Sequence, residues 1–457
     1  MELKSLYDKK IEEVKEFRTY SKPQKKLLSD YQKICQILKF LDELKEEEFL
    51  NKLNKGEFKF QIGRVGYFTS KYFLKSRVVL NLIRLNNNQI DKKYIETQIA
   101  LKLIANKLMK NKIVEKPKTR KSVIRNLIEF LRKNINESEN FYLIRADFKS
   151  YTLNIRRNKV IEILRNKDVP DFIIKMIKEF INYPSIESKI FKNYPLAKFF
   201  NEIGYLSDYS LDGDYKCILG YEGILSGTPL SNVLGMLYLQ DFDNFISEKI
   251  VSNGFYERYF DDLIIISSPN PKEIKKQIND YLSNLYQINK KDIARIFDIG
   301  ENGNLGRVLE KGFEFLGYKF QKENNRIKIS IRYKTLKKFA YKFIYEHRVI
   351  EGKYIECLVA KNYYLFSWLN SFIFINDHKL LEEIYKKIIL PNIYSTLKNY
   401  LKFQRKDTSE DHLKGYFKEI KKFYKPASIL RILRKGNKQK IIEKLKNLKV
   451  LIEEIIG

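Results

Sequence analysis

Two aspartates stand side by side where a chain can least accommodate them. In Gly254 to Ser268, GFYERYFDDLIIISS, aromatic residues lead into Tyr259-Phe260-Asp261-Asp262, and the unbroken apolar run Leu263, Ile264, Ile265, Ile266 follows. Such a run is what a strand covered on both faces looks like. The pattern predicts two short strands joined at a tight turn, with the carboxylates at its tip. Buried carboxylates are costly unless they are paired or bound to a cation. Asp is also a common turn residue. The string therefore reads as an acidic turn or as part of a metal site, and the rest of the chain decides by what further ligands it supplies.

Charge narrows the partner. The 457 residues include 87 Lys+Arg against 56 Asp+Glu, a formal charge of +31. Codon bias explains heavy Lys usage, but not why Asp and Glu fail to balance it. A surface of that sign points to a polyanion, above all nucleic acid. Cys35, Cys217 and Cys357 are far apart and form no CxxC pair. That argues against a zinc ribbon and against a disulfide framework, and makes a reducing cytoplasm the expected setting. The opening MELKSLYDKKIEE is charged, with no apolar signal core. No apolar run reaches the ~20 residues of a membrane span. His347, His378 and His412 all lie in the last third, which argues against His-based chemistry at the turn.

Periodicity predicts helix over residues 1 to about 50. Residues 51–140 mix strand and helix. Arg77 precedes the run Val78-Val79-Leu80, Ile95 to Met109 reads as an amphipathic helix, and Lys116 to Ser122 is a basic loop. Arg77 or Arg120 reads as a triphosphate contact or as solvated charge. Phe141 to Ala146 predicts a strand entering the core, with Asp147 at its end as a metal ligand or a helix N-cap. Within Gly223 to Asn232 the Ser226-Gly227-Thr228-Pro229 part is a loop, and a long apolar helix follows it to about Asp243; at its start a nucleotide can approach the backbone. Residues 271–290 read as an amphipathic helix. Phe313 to Phe320 alternates like a strand, with Gly317 allowing close approach. From about 326 the pattern reads as helical and aromatic-rich, with Trp368 in the core. Residues 401–457 carry 16 Lys/Arg against 7 Asp/Glu.

Asp147 and Asp261-Asp262 are 114 residues apart. Two or three aspartates on adjacent strands supply what two divalent ions need for phosphoryl transfer from a nucleoside triphosphate. Mg²⁺ takes oxygen ligands, usually one or two carboxylates with phosphate and water.

The ordered set resembles a known family. Asp147 with Tyr151 and Ile155 comes first. Next is Gly223-x3-Gly227-x-Pro229-Leu230-Ser231-x2-Leu234-x3-Tyr238-Leu239-x3-Asp243. Tyr259-Phe260-Asp261-Asp262 and then Phe315-Leu316-Gly317-Tyr318 complete it. This order is similar to the palm of reverse transcriptases over about 141–320. The resemblance implies an α+β right-hand polymerase. An N-terminal helical segment (1–50) would precede fingers (51–140), a palm of antiparallel sheet plus helices (141–325) and a thumb (326–400), followed by a basic helical C-terminal extension (401–457). It implies Mg²⁺ held by Asp147, Asp261, Asp262 and the backbone at Phe148, with the three aspartates catalytic. Arg77, Tyr151, Thr152, Ser226, Gly227, Pro229 and Lys291 would bind nucleotide, Lys290 being the alternative to Lys291. Tyr259, Phe260, Leu316 and Gly317 would meet primer and template. Partners would be an RNA template or non-coding RNA, dNTPs and a DNA product, with no membrane and with homo-oligomer formation open.

The departures matter. Leu225-Ser226-Gly227 replaces the family's usual Pro-Gln-Gly, and Gly235-Met236 its Ala-Asn. The aromatic sugar gate, five residues after the first Asp, is Thr152 here, with Tyr151 one before. Either Tyr151 serves as gate or the gate is loose. No endonuclease, integrase or RNase H pattern is evident, and the retron motifs Asn-Ala-x-x-His and Val-Thr-Gly are missing. The chain is similar to bacterial abortive-infection and defence-associated reverse transcriptases. That implies antiviral defence in a bacterial cytoplasm. A template-independent or protein-primed polymerase on the same palm, and a non-catalytic RNA-binding scaffold, stay as alternatives.

Overall fold

In the computed structural model, the described residues are 46–60, 65–69, 76–80, 92–149, 151–182, 186–187, 215–216, 223–224, 228–251, 253–268, 271–286, 289–290, 293–346, 349, 352, 354–404, 409–436, 443, 447–452 and 454. The helix expected before residue 46 lies outside them. The described chain divides into two compact units, with the cut between Val308 and Leu309.

The first unit, residues 39–308, is built on one four-stranded antiparallel sheet. Its strands are β3 (Tyr142–Phe148), β6 (Phe255–Tyr259), β7 (Asp262–Ser267) and β8 (Phe297–Asn304), in the order β6-β7-β3-β8. Two ribbons accompany it: β1 (Val65–Thr69) with β2 (Ser76–Leu80), and the two-residue strands β4 (Ile186–Glu187) with β5 (Tyr215–Lys216). The helices used below are α1 (Lys92–Lys110), α2 (Arg120–Lys133), α3 (Arg157–Asn166), α4 (Asp171–Asn182), α5 (Pro229–Tyr238), α6 (Gln240–Phe245) and α7 (Pro271–Tyr286). Helices α3 to α6 fall between β3 and β6, and α7 between β7 and β8. This is the β-α-β-β-α-β arrangement in which the first and third strands of the motif pair at the sheet centre.

That centre is apolar, as the run after the turn predicts. Leu143 and Leu263 to Ile266 have no exposed surface, and Ile144 almost none. Helix α7 directs Ile274, Ile278 and Leu282 inward at helical spacing. It ends at Tyr286, four residues before the expected end. Helix α5 starts as its sequence dictates. Thr228 caps it by accepting from the Ser231 N–H at 3.2 Å, and Pro229 takes the first turn, where no N–H is needed.

The second unit contains residues 309–457. Its sheet runs β11 (Arg326–Ile331), β10 (Tyr318–Glu323), β9 (Phe313–Phe315). Helix was expected from residue 326, and strand is found. Ile327, Ile329 and Ile331 alternate inward with polar residues between, the period of two that defines a half-buried strand. The expected boundary at 325/326 falls in the tight Asn324-Asn325 turn, where both residues have positive φ. Leu316 and Gly317 form the other tight turn, with φ of +45° and +82°. Gly adopts this conformation freely, whereas Leu does not.

Helix α8 (Tyr333–Tyr341) continues as a π-helical turn over Lys342–Glu346 and packs on α9 (Tyr354–Ser371). Trp368 is a core residue, as expected, with its ring 4.0 Å from that of Phe339. Helix α9 also buries a lysine. Lys361 is 1% exposed and donates to the Phe343 carbonyl at 2.7 Å. Burial pushes its pKa down to about 8. The unfolded chain keeps that proton to pH ~10.4, so it binds more protons than the folded chain between these values. Stability must therefore rise with pH across that window, by about 3 kcal/mol for this group. The buried Cys357 thiol, pushed up to about 11, works in the opposite direction above its ordinary range. Comparison with Lys361→Met, which keeps Cys357, isolates the amine. Denaturant midpoints taken at several pH values from 7.5 to 10 should climb in the wild type relative to the variant.

Candidate active site

The acidic turn has the predicted form with one refinement. Tyr259 pairs with Asp262, so only Phe260 and Asp261 are off the ladder. Two-residue hairpin loops need positive φ, which Gly or Asn supplies cheaply. Here Phe260 carries it, at +57°. A bulky residue in that region costs on the order of 1–3 kcal/mol and persists only where its surroundings impose it.

Arg258 is the group that imposes it. One guanidinium nitrogen donates to the Phe260 carbonyl at 2.8 Å. The other two grip Asp243 in the first turn of α6, Nε at 2.7 Å and Nη2 at 2.5 Å. The Tyr256 hydroxyl donates to the same carboxylate. Burial first, and the Asp243 carboxylate second, hold that hydroxyl protonated well above its usual range. The arginine side chain is 7% exposed and the aspartate 29%. A fork of this kind fixes direction as well as distance. The hairpin is thereby fastened to α6, the short helix that a turn at Leu239 separates from α5. A second tie lies on the same strand. Glu257, 4% exposed, accepts from Lys118 at 2.9 Å and from Asn126 at 2.8 Å, which joins β6 to the basic loop and to α2.

Across the sheet, Asp147 stands directly opposite Asp262 in the β3–β7 ladder. Directly opposite residues in an antiparallel pair share a face, with Cα atoms about 4.5–5.5 Å apart. The Phe148 N–H donates to the Asp261 carbonyl at 3.0 Å, which brings the turn against the end of β3. Phe148 itself is buried, its ring 5.0 Å from Phe297 and 5.6 Å from Phe242. On the other side of β3, Asp298 of β8 also stands opposite Asp147. A register shift puts it there. Arg145 pairs with Glu301 but Ala146 with Ile299, so Gly300 is the extra residue of a bulge. Asp147 and Asp298 are exposed, and Asp261 and Asp262 half-buried. Three carboxylates thus stand in a row across β7, β3 and β8, with Asp261 adjoining in the turn. Among the described residues, no group of three or more His, Cys, Asp or Glu converges as a ready metal cage. A cation that takes one or two carboxylates and completes its shell with phosphate and water needs no such cage.

Tyr151 opens a 3₁₀ turn just beyond β3 and is 8% exposed. Its hydroxyl is buried without a hydrogen-bond partner, and burial pushes its pKa up to about 12. The ring lies against Gly235 of α5. A Cβ at that position would come within 2.8 Å of the Tyr151 hydroxyl and 2.9 Å of its ring. Gly235 is therefore what admits Tyr151. Thr152 is half-buried, and its carbonyl accepts from Ile224 at 2.7 Å, which ties the 223–224 segment to the 3₁₀ turn. Pro229 is exposed at the start of α5. Tyr259 and Phe260 line a cleft of about 240 Å³ together with Lys116, Met236 and Arg258.

The structure thus brings together Asp147, Phe148, Asp261, Asp262, Tyr259 and Phe260, with Tyr151 and Thr152 just beyond the same strand end. Leu316 and Gly317 belong to the second compact unit. Arg77 is on β2, opposite Phe68, and its side chain lies outside the described residues, as do Ser226, Gly227 and Lys291. Sequence reasoning assigned no role to Arg258, Glu257 or Asp298. Arg258 had a signal: a cation in a hairpin this apolar requires a carboxylate partner.

No family model matches the chain, and no curated protein matches it. Solved structures do. Apo telomerase from Candida Tropicalis aligns with a TM-score of 0.42 at 15% identity, over 89% of this chain and 72% of that one. Telomerase from Candida albicans, in complex with a TWJ fragment of telomeric RNA, gives 0.37 at 12% identity, over 88% and 70%. The RNA-dependent RNA polymerase from bacteriophage phi12 gives 0.32 at 11% identity, over 85% of this chain and 57% of that one.

Proposed function

We propose that the protein is a palm-type nucleotidyltransferase that copies an RNA template into DNA from dNTPs. One observation carries this reading: Asp147 and Asp261-Asp262, 114 residues apart, meet at one end of a central antiparallel strand pair. The donors are all hard carboxylate oxygens, the set that suits Mg²⁺. Asp147, Asp261 and Asp262, with the backbone at Phe148, are the groups that would hold it. When bound, it supplies charge neutralisation for the triphosphate and lowers the pKa of the attacking hydroxyl.

The chain's own part is positioning. The β3–β7 register sets Asp147 beside Asp262. The Arg258–Phe260 bond sets the direction of the turn. The Tyr259 and Phe260 rings, 4.8 Å apart, form an apolar shoulder for a primer end. A charge of +31 retains the nucleic acid. The defence setting, and a non-coding RNA as partner, are inferred from the sequence resemblance to abortive-infection enzymes.

Thr152 motivates a second reading, polymerisation with relaxed sugar choice or without a template. It is smaller than the aromatic residue it replaces, and the neighbouring Tyr151 is buried against Gly235. One experiment separates the two. Purified protein is given Mg²⁺ and a primer, with or without an RNA template, and either dNTPs or NTPs. DNA complementary to the template, made only when template is present, supports reverse transcription. Homopolymer without template, or equal use of NTPs, supports the second reading instead.

A further inference from the structure

The second unit carries an aromatic and basic face that the polymerase reading does not use. Helix α8 and its π-helical continuation bury one side and expose the other. Phe339 and Phe343, one turn apart, are at most 1% exposed and face α9. On the opposite side run Tyr333, Lys337, Tyr341 and Tyr345, each four residues after the last, which places them on one face. Tyr333 is 67% exposed and Tyr345 60%, the two most exposed large hydrophobic side chains among the described residues. Lys337 lies over the Tyr333 ring at 4.8 Å, and the Tyr341 and Tyr345 rings are 5.2 Å apart. A second row, Lys334, Lys338 and Lys342, runs alongside at the same spacing. Residues 332–345 contain five cations and no Asp or Glu.

Rings left this exposed lack the burial that normally accounts for aromatic residues on a helix. Isolated exposed side chains need no explanation, but a row of them beside a row of lysines is a different case. We propose that this face is a docking surface for single-stranded nucleic acid, with unpaired bases stacked on Tyr333 and Tyr345 and the strand's phosphates tracking the lysine row. Base–aromatic stacking with an adjacent cationic track is how unpaired strands are held without regard to sequence. A duplex shields the faces of its bases and offers only phosphates. Tyr333 and Tyr345 are about 18 Å apart along the helix, the length of about five stacked nucleotides. The surface is independent of the carboxylate site, so either assignment can fail without the other.

The test uses the full chain. Twelve-nucleotide RNA and DNA strands carrying 5-iodouridine or 5-iododeoxyuridine are irradiated with the protein, and the adducts are mapped by mass spectrometry. A twelve-base-pair duplex serves as the control, and anisotropy gives affinities. Adducts are expected at Tyr333 or Tyr345 with single strands and not with the duplex. Tyr333→Ala/Tyr345→Ala should weaken single-strand binding by at least about tenfold, while Tyr333→Phe/Tyr345→Phe, which keeps the rings, should bind like wild type. The arm that binds more tightly identifies RNA or DNA as the source of the strand. Adducts mapping only elsewhere, or unchanged affinity in the double-alanine variant, would overturn the proposal. So would equal loss on duplex and single strand.

Discussion

Asp261→Asn is expected to lower nucleotide incorporation by about a thousandfold, with the fold left intact. The loss corresponds to about 4 kcal/mol of charge stabilisation, the several kcal/mol that cation-assisted phosphoryl transfer supplies. Asp261 is half-buried in a turn, and its side chain is no part of the ladder that holds the sheet. Folding should therefore not suffer. Like charges near one another oppose folding, so the melting temperature of the variant should match or slightly exceed that of wild type. Primer extension under single-turnover conditions, alongside thermal melting, reads both quantities. The double change Asp261→Ala/Asp262→Ala is the stricter form. Extension that survives it would remove these residues from the site.

Arg258→Met should fail in a different way. It leaves every carboxylate in place and removes the group that holds them in direction. Breaking a buried ion pair by deleting one partner costs about 3–5 kcal/mol. Asp243 is 29% exposed and keeps its bond from Tyr256, which sets the expectation near 3 kcal/mol. The Phe260 carbonyl also loses its donor, so the strained turn is free to relax. The expected result is a lower melting temperature together with a fall in kcat of about ten- to a hundredfold, with little change in KM for dNTP. Arg258→Lys keeps the charge but cannot form the fork, and should restore stability more than turnover. Equal kcat in Arg258→Met and wild type, measured below both melting points, would reduce Arg258 to a structural role.

Much of the core of the site was legible in the residues. Leu263 to Ile266 announced a strand buried on both faces, and the strand before Asp147 announced its partner. Other parts were hidden for physical reasons. Strand β8, Phe297–Asn304, contains two Gly, two Asn and an Asp, residue types depleted in strands. Its place in the sheet comes from pairing with β3 rather than from its own pattern, so Asp298 carried no signal. Strand β11 was misread as helix because Ile327, Ile329 and Ile331 abut a true helix, and the change of period falls at Arg332. Tyr151 was visible as an oddity beside Thr152, but its burial depends on the missing side chain at Gly235, a contact between residues 84 apart in the chain.

The bulge at Gly300 divides β8 into two stretches of opposite parity. Ahead of it, residue 298 shares a face with Asp147; beyond it, residue 301 shares a face with Arg145. Without the bulge, and with the downstream pairing kept, Gly300 would pair with Ala146, and Ile299 would slide into the place opposite Asp147, exchanging a carboxylate for an aliphatic side chain. No residue of the recognisable motifs would change. Related chains could thus diverge in the charge of this face by straightening the bulge alone, with no residue added or removed in an inconspicuous strand. Two such chains would look equally intact when compared by their motifs, so the pairing register at residue 300 is the feature by which to sort them.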